Sequence, residues 1–579
     1  MPVSISGIND IVNKIITVDA SDNAAITTTV DVSIIKNSRV SVAVTPDGDF
    51  NWARAFDGPG NENAFSITTD SQGDIYITGK YQYGVVEIKD GDTVLHTLPE
   101  MSGIGAFVVK LTSTGSFVWA RVINGSATGT GIAIDDLGDV FICGYYQLDA
   151  DVKDGDTVIH SFPTVSGNGV FVVKLTSTGS FVWSRIVDGS SSARVKIDDG
   201  GNVVVTGSYS SARDVLAGAT VMYTLPAGVG SSVYVIKLTN AGSFVWARTI
   251  DGSSTDQARG IATDSEGSVL VTGQIQQSST ATVKDGTTVL HTLPTVLTGA
   301  FVVKLTSAGS FAWARVVDGT GSDRGTDIAT DTDGNVFATG SYATSANIKD
   351  GTTVIHTLPT VDDTGLYVVK LTSAGSFVWA RVIDGIYHNS ECITIDYQGN
   401  VVVSGEYYGA AEVKDGATVL HTLPTISSTT IAFVIKLTNA GSFTWARIIG
   451  GGGDKFGNSV TTDFQGNVIL SGYYSSTAEI RDGNTVLYTL PASVGNASAF
   501  VVALKAEEEV TTVDPYTLSP PEDVDTMMLK KIIHMPNANG DVATINVVDA
   551  QDATLSTVTV GQTSNVSFIW ADSSWSVVN

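Results

Sequence analysis

The stretch GSFAWARVVDGTGSDRGTDIATDTDGNVFATGSYATSANIKDGTTVIHTLPTVDDTGLYVVKL (309–371) decides the fold, because it recurs along the chain with little change. Its marker is Phe-x-Trp-(Ala/Ser)-Arg, with the tryptophan at Trp52, Trp119, Trp183, Trp246, Trp313, Trp379 and Trp445, spaced 63 to 67 residues apart. Within the unit, GSFAWAR (309–315) alternates with period two. DIATD (327–331), the turn Thr-Asp-Gly-Asn, VFATGSY (336–342), a Lys-Asp-Gly hairpin (347–360) and LYVVKL (366–371) follow. That is four main strands and a small hairpin per unit, with turn residues where hairpins need them. No 3.6-residue periodicity is sustained. A period of this size filled with short strands predicts a repeat ring or array.

Side chains alternate along a strand, so Phe, Trp and Arg share one face and the intervening apolar residues the other. Strands apolar on both faces predict sheets stacked face to face around an axis. The expected fold is all-β, a seven-bladed β-propeller. The array opens partway through a unit (GDFNWAR, 48–54) and ends on AFVVALK (499–505) with no Phe-x-Trp strand after it. The opening strand is therefore expected to complete the last blade and remove an exposed edge. Segment 39–44 duplicates the FVVKL position and finds no place in this scheme. Ala43 and Ala503 stand where six copies carry Lys, which predicts an altered seam.

Four parts are expected: a β-rich arm (1–38), the propeller (39–505), an acidic Pro-containing linker (506–527) and a small C-terminal β module (528–579). So short a module predicts docking or oligomerisation. The formal charge of −27 and pI near 4.4 argue against nucleic acid, which needs clustered Lys and Arg. No apolar run is long enough to cross a bilayer as a helix. MPVSISGINDIVNKIITV (1–18) lacks the pattern of a secretory signal, so particle assembly or unusual export is expected for any work outside a cell. Cys143 and Cys392 read as small core residues.

The units resemble the SBBP β-propeller repeat, whose form is GIAxDxxGNVYVTG, DAFVAKL and GxxVWA. Here these are GIATDSEGSVLVTG (260–273), AFVVKL (300–305) and GSFAWAR (309–315). The resemblance covers residues 39–505. It implies an extracellular, surface or particle-borne setting and no particular reaction. The tail is similar to the β-rich ends of viral and phage fibre or capsid-associated proteins, which close on an IWDGSxW-like phrase. This chain has IWADSSW (569–575), departing at Ala571 and Ser573.

Repeated polar residues have structural readings. Asp70, Asp135, Asp198, Asp264, Asp331, Asp396 and Asp463 each open an Asp-x-x-Gly turn, which Asp stabilises by bonding backbone amides ahead of it. They lack the ligand set of a calcium loop, so no metal or other cofactor is expected. His96, His160, His291, His356 and His421 share a slot with Tyr223 and Tyr488, an aromatic packing position. The repeated Arg is expected to stack on its neighbouring ring or cap carbonyls. No Ser/His/Asp set, paired carboxylates or phosphate loop stands out, and IIGGGGDKFGNS (448–459) lacks a P-loop's ending.

What varies is the connection from Phe-x-Trp-x-Arg to the next Asp strand. Polar, variable loops on a rigid scaffold are the usual setting for recognition. The candidate ligand-binding residues are Asn61, Asn63, Asp256, Arg259, Asp323, Arg324, Tyr387, His388, Asn389, Asp454, Lys455 and Phe456. The expectation is a non-enzymatic structural or adhesive protein on a particle surface, a virion fibre, spike or capsid-associated component. Its partners would be other structural proteins and a host receptor or glycan. A bacterial surface or secreted adhesin is the alternative, and a glycan-active hydrolase or lyase a third.

Overall fold

The computed structural model describes residues 48–506 except 166, 253, 277–279, 297, 387–391 and 427–428, together with six short strands outside that span. Every regular element among them is a β-strand, so the chain is all-β. Gly48–Ala506 form one compact unit, and Met1–Asp47 with Glu507–Asn579 a second. Arm and tail were expected as separate parts. Instead, Thr29–Val32 of the arm runs parallel to Ala543–Val548 of the tail, which pairs with Thr554–Val560. Met527–Lys530, Ser567–Ala571 and Ser574–Val578 make another antiparallel sheet, with Trp570 opposite Trp575. Segment 39–44 with Ala43, and most of the linker, lie outside the described residues.

The repeating sheet is seen most plainly in Ser190–Ile197, Val203–Ser210, Ser231–Leu238 and Phe244–Asp251, joined in that order as an antiparallel meander. Turn glycines with positive φ, Gly201 at 73° and Gly242 at 79°, allow the tight reversals. Two further strands, Thr282–Asp285 and Thr288–Thr292, add to the outer side of Phe244–Asp251. They are the Lys-Asp-Gly hairpin of the same sequence unit, as the sequence reading had it. In the chain that hairpin lies between Val269–Gln276 and Thr298–Leu305, two strands of the next sheet, so it crosses back to cover the outer edge of the preceding one. An unpaired edge is a site for wrong association, so the hairpin has a clear physical purpose.

The ladders do not partition into seven separate sheets. They run as sheets of ten, six, six, six and eleven strands, because long strands such as Ile75–Asp90, Thr93–Leu111 and Val401–Asp415 continue from one sheet into the next. Phe50–Asp57 sits between Ser498–Leu504 and residues 87–89, so the two ends of the array share a ladder. This is the architecture of a β-propeller: antiparallel meanders stacked face to face, with apolar clusters between them.

The repeated residues bind one sheet to the next. Trp246 Nε1 donates to Ser307 O (3.1 Å) and Arg248 Nε to Gly309 O (2.7 Å), both in the next unit's turn. The guanidinium also lies over the Trp246 ring, 5.4 Å from its centroid. The same set recurs from Trp52, Arg54, Ser113 and Gly115 through Trp379, Arg381, Asn439 and Gly441. At the rim, the hairpin's aromatic residue stacks on the next sheet's Phe, as His356 does on Phe377 at 4.0 Å and Tyr223 on Phe244 at 4.6 Å. Burial lowers the pKa of His356 and its four repeat counterparts.

Candidate functional site

The first strand of each sheet's meander, such as Gln257–Thr263, has two ends. One receives the variable loop and the other runs into the Asp turn. At the loop end the opening rungs pair Asn63 with Lys80, Gln257 with Gln274, Arg324 with Ser341 and Phe456 with Tyr473. Except for Asn63 and Ser341, these side chains are half-buried. Phe456 stacks on Tyr473 at 4.5 Å, and Lys80 Nζ lies 5.9 Å from the Phe65 ring centroid. Arg324 Nε donates to Ser341 Oγ (3.0 Å), and Arg259 Nη2 to Gln257 Oε1 (3.0 Å). Burial, with Glu406 and Asp454 nearby, pushes the Tyr473 phenol up to about 12. Burial lowers Lys80 below the usual lysine range. Apolar, aromatic, amide and guanidinium groups therefore meet at one end of the strands.

Four candidates are not presented there. Asp256, Asp323 and Lys455 are completely buried and Asn63 nearly so, which corrects their reading as loop contacts. The residue just before the first rung is an internal support. Asp256 Oδ2 accepts from Gly252 N (2.6 Å) and Oδ1 from Gln276 N (3.2 Å). Asp323 repeats this with Gly319 N (2.5 Å) and Ala343 N (3.4 Å). Glu62 occupies the same register, and Lys455 reverses the polarity, donating to Gly452 O and Gly453 O. Burial pushes the Glu62 and Asp323 carboxyls up to about 7 and Asp256 up to about 6, with backbone amides offsetting part of the effect. Burial lowers Lys455 to about 8.

The structure keeps Arg259, Arg324 and Phe456 at the loop end and leaves Asp454 exposed, its Oδ1 accepting from Thr430 N. Asn61 is half-buried and donates to Gln82 Oε1 (3.4 Å). Tyr387, His388 and Asn389 lie outside the described residues. Sequence reasoning missed Lys80, Phe65, Gln274 and Tyr473. Their signal was the position directly after the repeated (Thr/Ser)-Gly, or next to it across the ladder, where chemistry changes from unit to unit.

At the other end the Asp turns form as expected, and carry an ion pair the sequence reading missed. Asp264 Oδ1 accepts from Glu266 N (3.0 Å) and Ser268 N (2.9 Å), while Lys304 Nζ sits 2.8 Å from Oδ2. Burial would raise that carboxyl, yet Lys304 and the amides hold it below its ordinary value. The lysine is that of FVVKL, and five other units repeat the pair. At the seam buried Ala503 replaces it, and Asp463 Oδ2 accepts from Asn467 Nδ2 (2.7 Å), a bond that Asn202, Asn335 and Asn400 also make beside their lysines. Two clefts open here between neighbouring sheets, of about 390 Å³ beside Asp70 and Lys110 and about 210 Å³ beside Asp264 and Lys304.

No protein-family profile matches the chain. It is similar to an uncharacterized WD repeat-containing protein, L264, of Acanthamoeba polyphaga mimivirus, 24% identical over 473 residues. That match covers 68% of this chain and 34% of the relative, so the chain spans about a third of that protein's length. Among solved structures, the Neurospora crassa Pan2 WD40 domain matches at TM-score 0.24 with 11% identity, over 56% of this chain and 86% of that one. The phage phi92 endosialidase matches at TM-score 0.32 with 9% identity, over 88% and 74%. The viral relative and the meander ladders agree on a β-propeller repeat protein.

Proposed function

We propose that this β-propeller repeat protein is a non-enzymatic structural or adhesive component of a particle surface, a virion fibre, spike or capsid-associated protein that recognises a receptor or glycan through its loop end. Its repeats are read as the SBBP type, arranged as seven six-stranded blades. Three observations support a closed wheel. Phe50–Asp57 pairs with Ser498–Leu504. Ile132 N donates to Ser66 Oγ, and bonds of this kind recur between successive first strands. Ile67 N donates to Ser459 Oγ and Asn458 Nδ2 to Ala64 O, which joins the last first-strand to the first. A closed wheel gathers all inter-sheet loops at one end.

One observation carries the recognition reading. Trp, Arg and the turn Asp are repeated in every unit, whereas the loop-end rungs change from Asn63 to Gln257, Arg324 and Phe456. Recognition needs such a surface, and fold stability does not. The viral relative favours a particle setting. Other structural proteins of the particle would be met through the C-terminal β module, with oligomerisation there.

The test joins location to binding. Mass spectrometry of purified particles is expected to find the chain in near-stoichiometric amount. A glycan array is expected to give a signal that Arg259→Ala, Arg324→Ala and Phe456→Ala together abolish. Absence from particles, or a signal indifferent to all three substitutions, would refute the assignment.

A further inference from the structure

The turn before each Phe-x-Trp strand after the first carries Ser113, Ser177, Asn240, Ser307, Ser373 or Asn439 at one position. The two asparagines act as plugs between neighbouring sheets. Asn240 Oδ1 accepts from Lys174 Nζ, while Nδ2 donates to Asp135 Oδ2 (2.8 Å) and Gly201 O (3.1 Å). Asn439 does the same with Lys370, Asp331 Oδ2 (3.4 Å) and Gly399 O (2.8 Å). A primary carboxamide thus has a complete socket: a lysine donor, an aspartate acceptor and a carbonyl acceptor from the next turn.

Ser177 and Ser373 stand where those asparagines stand and are too short to fill the socket. The two clefts lie there, lined by Asp70, Lys110 and Gly138 in one and by Asp264, Lys304 and Gly334 in the other. The lysine–aspartate separation is 3.7 and 3.8 Å where an asparagine is inserted, and 2.8 Å for Lys304 and Asp264. In the larger cleft it is 3.6 Å: Lys110 Nζ lies 3.0 Å from Asp74 Oδ2, as Lys174 lies 2.8 Å from Asp139 Oδ2 beside Asn240, and the Tyr76 hydroxyl donates to Asp70 Oδ2. Asp70 and Lys110 are well shielded, with side-chain exposures of 4% and 12%. At about 390 Å³ this cleft also falls in the range of small-ligand sites, roughly 300–1,000 Å³.

We propose that the cleft beside Asp70, Lys110 and Ser177 binds a primary carboxamide, the side chain of an Asn or Gln presented by a protein partner. A secondary amide offers one N–H where the socket has two acceptors. A carboxylate would face Asp70 without a proton to share. The site lies at the opposite end of the first strands from the loop-end surface and does not depend on that surface binding anything.

N-acetyl-asparagine methylamide, its alanine counterpart and N-acetylglucosamine would be titrated into the full chain, following backbone NMR shifts near Asp70 and Gly138. The asparagine compound is expected to saturate and the alanine compound to leave the spectrum unchanged. Ser177→Asn should weaken binding at least about tenfold by filling the socket from within, as the chain itself does twice. Asn240→Ser should create a second set of shifts near Gly201. Equal binding to Ser177→Asn and wild type, no binding of the asparagine compound, or stronger binding of the sugar would each overturn the proposal.

Discussion

The two ends of the strand Gln257–Thr263 are built on opposite rules. Its far end runs into Asp264, whose two oxygens are taken by backbone amides and Lys304 in a pattern that six units share. Its near end starts above a buried acid, Asp256, and presents Gln257 and Arg259, which other units do not repeat. The difference teaches where the chain places its stability and where it is free to vary. The Trp, Arg and turn Asp that tie the sheets together are held constant, and the residues that open the first strand change from unit to unit.

Breaking the constant part should cost most. Trp246→Ala removes a nearly buried ring and its bond to Ser307 O, and is expected to destabilise by about 3–5 kcal/mol in urea unfolding. Lys237→Ala should follow at about 3 kcal/mol, because it strands Asp198, whose side chain is only 1% exposed. Lysine and aspartate replaced together by apolar residues should recover part of that loss.

The acids beneath the loop end give a pH signature. Glu62, Asp256 and Asp323 have folded-state pKa values raised above their unfolded ones, so the fold favours their protonated forms. Their contribution is present below about pH 4 and is lost as pH rises through 6 to 7. Urea midpoints should therefore fall between pH 5 and pH 8. Asp323→Asn should flatten part of that slope, on the order of 3 kcal/mol at the alkaline end. Asp251 and Asp264 act in the opposite sense, their lowered pKa values costing stability only under more acidic conditions.

The smallest effect sharpens the comparison most. Arg324→Ala or Phe456→Ala should cost no more than about 1.5 kcal/mol, the worth of one hydrogen bond or one aromatic pair. A loss comparable to that of Trp246→Ala would mean that the loop end is also structural.

The repeated aromatic and arginine roles were legible because seven copies expose their substitutions: Tyr in place of His at 223 and 488 marks a packing slot without coordinates. The hairpin was legible as part of the Phe-x-Trp unit but its partner was not, because the strands on either side of it belong to the next sheet and no local pattern encodes that crossing. Asp256, Asp323 and Lys455 were misread because a polar loop looks exposed. The corrective signal was Ala127 and Ser190 in the same register, small residues of the kind an interior slot accepts. The turn asparagines Asn240 and Asn439 were visible as letters, but their three-way bonding needs two sheets brought together.

The loop-end surface exists only if the wheel is closed, and amide hydrogen exchange on the seam strand tests that most directly. Phe50–Asp57 should exchange as slowly as its internal counterpart Phe244–Asp251, and Ser498–Leu504 should lose protection when residues 48–57 are removed. Rapid exchange of Phe50–Asp57, matching that of an unpaired edge, would contradict the closed ring.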